Sequence, residues 1–106
     1  MPSMRGFTIT GITVPEGIEI MVLGVFDSCS KLEVVNLPST ITSFGNQAFY
    51  GCYRMKALTI LAVTPPTIGA GQTLPTAGTI YVPAGSVDAY KSAWTSYASR
   101  IQAIPE

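Results

Sequence analysis

Two cysteines, six carboxylates and no histidine make up the reactive inventory of this 106-residue chain. Without histidine there is no ordinary general base, no imidazole metal ligand and no Ser/His or Cys/His pair. Cys29 and Cys52 lie 23 positions apart, the spacing of a repeat traced below. Stacked one repeat apart they would sit at roughly the 4.8 Å strand spacing, within disulfide reach. Three readings stay open for them. They are buried free thiols packed inside a turn, a disulfide, or a reactive or metal-binding pair, although two thiols alone do not complete a zinc site. The carboxylates are Glu16, Glu19, Asp27, Glu33, Asp88 and Glu106. Glu16 and Glu19 follow Pro15 in a turn, and nothing sets two acids across a cleft as glycosidic chemistry requires. Phosphate loops, Gly-x-Gly fingerprints and EF-hand spacing are also missing. The expectation is a chain that is not an enzyme, with no cofactor and no metal.

The elements that hold these residues come from a repeat. The stretch Leu32 to Cys52, LEVVNLPSTITSFGNQAFYGC, recurs at an offset of 23 residues. Ile12 falls on Val35, Val14 on Leu37, Pro15 on Pro38, Ile18 on Ile41, Phe26 on Phe49 and Cys29 on Cys52. A third copy begins Met55, Leu58, Ile60, and a shorter fourth begins Ala77, Ile80, Val82. Val82-Pro83 returns 22 residues later as Ile104-Pro105. The apolar-x-x-apolar-x-apolar signature is that of a leucine-rich repeat, whose period is about 20 to 29. Coils are expected at about 9–31, 32–54, 55–76 and 77–100, with a terminal strand at 101–105. Together they form a single domain, 1–106.

Each coil can be read from its residues. Val35 and Leu37 share one face of a short strand and Asn36 takes the other. Pro38 has no N–H for a ladder and ends the strand. Ile41 and Phe44 bring the chain back over the core, Gly45 allows a turn, and Ala48, Phe49 and Cys52 mark a short helical piece. One coil cannot bury its own apolar face, so its neighbours must. The third coil departs from this pattern. Pro65-Pro66 and the Gly/Thr-rich stretch after it predict an irregular, extended return. From Ser86, a candidate N-cap, Val87, Tyr90 and Trp94 predict a C-terminal helix over the open end of the last coil. Asp88 in its first turn suits the helix dipole. The N-terminal end shows no matching cap. Further coils are expected before it, or two copies of the chain meeting there as a homodimer.

Composition narrows the partners. Apolar residues make up 47% and charged ones 11%, and six basic residues balance six acidic ones. A charged fraction so far below the usual value of about 25% gives neither a nucleic-acid footprint nor attraction to an anionic membrane. No apolar run reaches the roughly 18 residues of a membrane span. One surface remains for recognition. Thr13, Asn36, Thr59 and Tyr81 face away from the core as a ladder, flanked by Val34, Ala57 and Thr79. They are either ligand contacts or ordinary solvent-facing strand residues, since Thr favours strands anyway.

The phrase ITSFGNQAFYGCYRMKALTI resembles the BspA-like (Treponema-type) leucine-rich repeat. TILAVTPPTIG, followed by TIYVPAGSVDAYKSAWTSYASRIQAI, resembles the C-terminal end of such arrays in Bacteroidetes surface proteins. The likeness covers about Thr8 to Pro105. It implies a right-handed α/β solenoid with short parallel strands, short helices and a C-terminal capping helix. It also implies an extracellular or cell-surface setting and a non-catalytic role in adhesion or binding to protein or host matrix. The alternative is a structural terminal cap, with binding upstream. One departure stands out: Val22 occupies the place of a family glycine and Gly24 comes two residues late, so that turn is expected to be rearranged.

Overall fold

The computed structural model describes residues 11–21, 31–45, 49, 54–68, 74 and 78–105. Cys29, Cys52, Asp27, Glu106, the turn at 22–24 and Ala48 fall outside these residues; of the expected short helical piece only Phe49 is described, and it is buried. The strands are β1 (Gly11–Thr13), β2 (Ile20–Met21), β3 (Val34–Leu37), β4 (Ser43–Phe44), β5 (Ala57–Ile60), β6 (Thr79–Val82) and β7 (Ile101–Ala103). Among the described residues they form a five-stranded sheet, ordered β1-β3-β5-β6-β7, and a two-stranded sheet of β2 and β4. Every pairing is parallel. Each strand lies beside the next along the chain, with a crossover between, as stacked coils require.

Period-two alternation sets which side chains are buried. In β3, Val35 and Leu37 are buried while Val34 is exposed and Asn36 half-buried. β5 and β6 alternate in the same way. The inward side chains, Val35, Leu58, Ile80 and Ile101, come into register across four strands. The register offset runs 23, 23, 22 and then 21, as Ile12↔Val35, Val35↔Leu58, Leu58↔Ile80 and Ile80↔Ile101 show. The tail rhyme of 22 therefore overstates the last step by one residue. Pro38 ends β3 as its missing donor requires, yet the ladder continues one residue past β1, β5 and β7. Val14 N–H donates to Asn36 O (2.9 Å), Leu61 N–H to Leu37 O (3.2 Å) and Ile104 N–H to Val82 O (2.9 Å).

The return segments form a ladder of their own, which the apolar pattern alone did not disclose. Ile20 and Met21 pair with Ser43 and Phe44, and Ser43 bridges on to Thr67. The extended return through Pro65 and Pro66 thus ends in register with the coil before it. Phe44 N–H donates to Thr67 O at 2.8 Å and Thr67 N–H to Thr42 O at 3.1 Å. Between the two ladders lies one core that includes Leu37, Ile41, Phe44, Phe49, Ile60 and Leu74.

The C-terminal helical stretch is shorter and more broken than its spacing predicts. A 3-10 turn, Ala84–Ser86, leads into α1 (Val87–Ala93), and a second 3-10 segment follows at Thr95–Arg100. Ser86 stands at the N-cap position but makes no side-chain cap bond. Its φ of −109° and ψ of −1° are helical, not the extended geometry a capping side chain needs. The preceding turn has already coiled the chain, with Ser86 N–H donating to Pro83 O at 2.8 Å. Trp94 breaks the helix at φ −117°, ψ 60°, and its indole N–H reaches Pro66 O at 3.1 Å. Tertiary anchoring wins over propensity here.

Candidate functional site

Thr13, Asn36, Thr59 and Tyr81 lie in one register row across β1, β3, β5 and β6, and Gln102 of β7 extends it. Adjacent members sit roughly 4.8 Å apart. Beside them runs a row of smaller side chains, Gly11, Val34, Ala57 and Thr79. The outward face of the sheet therefore presents hydroxyls, amides and one phenol, and none of these nine residues is charged. Asn36 Nδ2 donates to Thr13 Oγ1 at 3.2 Å, which fixes the amide's orientation. Nearby charge is held just before the strands, where Lys56 Nζ lies 3.4 Å from Glu33 Oε1. Sequence reasoning missed Gln102 because the tail rhyme pointed to Ala103 instead.

At the exits of the strands the turns are stapled coil to coil. Glu16 accepts from Ser39 through both oxygens. The Ser39 N–H lies 2.7 Å from Oε2, and the Ser39 hydroxyl donates to Oε1. Gly17 N–H donates to Thr40 Oγ1 at 3.0 Å, and that hydroxyl donates to Ile18 O at 2.8 Å. Gly17 has φ +101°, a left-handed conformation in which glycine is at ease. So Glu16 is part of a turn joint.

Two recesses open along this edge. One, of about 200 Å³, lies between Thr13, Pro15, Glu16, Asn36, Pro38 and Leu61. Another, of about 360 Å³, lies between Ile41 and Thr42 on one coil and Ala62, Val63 and Pro65 on the next. Leu61 and Val63 are 45% and 71% exposed, a concentration of apolar surface at one rim. The loop carrying them is fixed from behind. Tyr90 Oη donates to Ala62 O at 2.7 Å and Trp94 Nε1 to Pro66 O, while the two rings meet edge to face at 4.9 Å.

Burial pushes the Tyr90 phenol well above the ordinary tyrosine range, so it stays a neutral donor. Burial also lowers Arg100, partly offset by Tyr97; its guanidinium lies 5.8 Å from the Tyr97 ring centroid and its Nε donates to Gly78 O at 2.8 Å. Among the described residues no group of three or more His, Cys, Asp or Glu could hold a metal. No helix of the described residues is long and apolar enough to cross a membrane.

Against known families, the model described as BspA type leucine-rich repeat region matches residues 4–70 in six copies. A search of curated proteins found no match. The matched span ends just beyond the Pro65-Pro66 loop, so β6, α1 and β7 lie outside it.

Proposed function

Because the chain belongs to the BspA-type leucine-rich-repeat family, we propose that it is a non-catalytic module that binds a protein partner on the outward face of its sheet. Repeats of this kind serve as protein-interaction scaffolds, and solenoids offer extended sheet surfaces for that purpose. The observation that carries the reading is the in-register row Thr13, Asn36, Thr59, Tyr81, a surface of uncharged hydrogen-bonding groups on rigid strands. Family likeness favours a cell-surface or extracellular setting, an adhesive role toward host protein or matrix, and an origin among Bacteroidetes. It also favours a right-handed coil.

The test is surface plasmon resonance of the chain against a panel of purified extracellular-matrix proteins. At least one should bind saturably. Tyr81→Ala and Asn36→Asp should each weaken that binding about tenfold, with the melting temperature preserved. Binding indifferent to both substitutions, or none across the panel, contradicts the proposal.

A second reading, that the segment closes a longer array, draws on the C-terminal part. The family match stops at residue 70, and Tyr90 and Trp94 are buried against the third coil. Deleting residues 78–106 from a longer parent array separates the readings: lost folding with partner binding intact on a recapped array favours closure. Pairing of two copies through the first coil belongs to the same proposal. Light scattering tests it, and a strict monomer at high concentration argues against it.

A further inference from the structure

The geometry points to the recess beside Glu16 as a seat for a lysine or arginine side chain of the protein partner, a deepening that rests on the reading of the outward face as the recognition surface. Pro15, Pro38 and Leu61 follow the ends of β1, β3 and β5 and give the recess apolar walls, closed on the side of the sheet by Thr13 and Asn36. Its volume of about 200 Å³ suits one side chain. Glu16 is the one charged residue in the lining. A long cationic side chain matches this combination, because its methylene stem lies on apolar surface while its head seeks an anion.

The carboxylate is positioned in advance. Ser39 occupies one acceptor site on each oxygen, and a carboxylate offers about four such sites, so a further cation can still be received. Gly17, Thr40 and Ile18 tie the same turn to its neighbour, which limits the ordering a ligand must bring about. Among the described residues no lysine or arginine pairs with Glu16; the ion pair of Glu33 and Lys56 lies at the opposite, entry end of the strands. The partner's cation would complete the site, and the neutral row beside it would take uncharged groups flanking that cation.

The test is NMR titration of the full chain with Nα-acetyl-lysine methylamide, compared with the same probe acetylated on Nε. The cationic probe should shift the Leu61 methyls and the Thr13 and Asn36 amides saturably, with a Kd on the order of 10 mM. The neutral probe should bind about fivefold more weakly, the upper range for an exposed ion pair. Glu16→Gln should abolish the difference between probes, and Leu61→Ser should weaken both together. Equal binding of the two probes to the parent chain, a difference that survives Glu16→Gln, or no saturable shift at these residues overturns the inference. If the probes fail while Tyr81→Ala still weakens a matrix-protein partner, this inference falls alone. If Tyr81→Ala is without effect, the reading of the face falls instead.

Discussion

Gly78 carries a constraint that no side chain could meet. Its φ is +94°, and a Cβ there would lie 2.6 Å from Met55 O, a backbone atom that cannot swing aside. Gly78→Ala should therefore cost about 2 kcal/mol or more, lowering the melting temperature by roughly 10 °C in differential scanning calorimetry; an unchanged transition would contradict the close approach. Tyr90 makes a second prediction at this scale. Burial holds its phenol above the ordinary value of about 10, so the folded state favours the protonated form. The stability it contributes is complete below about pH 10 and is lost as pH rises through the raised folded-state value. Tyr90→Phe should cost about 1–2 kcal/mol at neutral pH, because the Ala62 carbonyl loses its donor. It should also flatten the alkaline fall in stability, measured by urea unfolding at stepped pH. An alkaline slope identical to the parent's would refute the assignment.

Among the elements, coupling between neighbouring coils rests on hydroxyls as well as on the core. Thr40 Oγ1 both accepts from Gly17 N–H and donates to Ile18 O. Thr40→Val keeps the shape and removes both bonds, so it should cost about 1–2 kcal/mol. Hydrogen exchange should then speed up at Gly17 more than at Leu58, which lies in the middle of the sheet; uniform acceleration would contradict a local joint. The strands themselves were legible because their inward positions repeat: Val35, Leu58 and Ile80 are apolar, and the residue after each faces out. The return ladder was not legible. Two-residue strands such as Ser43–Phe44 are too short for alternation to show, and their pairing rests on backbone bonds that no side-chain pattern encodes. The C-terminal helix was legible in its buried contacts, Tyr90 and Trp94, but not in its length. The Trp94 indole bond to Pro66 is a tertiary event, invisible to a local reading.

For the molecule as a whole, stacking turns a 23-residue period into a surface. Offsets that shorten from 23 to 21 still bring Thr13, Asn36, Thr59, Tyr81 and Gln102 into one row. The first four could be read from the repeat, because register follows apolar phase. The recess beside Glu16 could not, because it depends on the gap between Pro38 and Leu61 once the coils are stacked. Thr59 sits at the middle of the row, between Asn36 and Tyr81, on a central strand. Thr59→Trp keeps strand propensity and places a bulky ring on the outward face. The decisive measurement is the affinity of this variant for the matrix protein that binds the parent chain, beside its melting temperature. The account predicts a loss of at least about tenfold with thermal stability unchanged. Affinity within about twofold of the parent would contradict it and move recognition off this face.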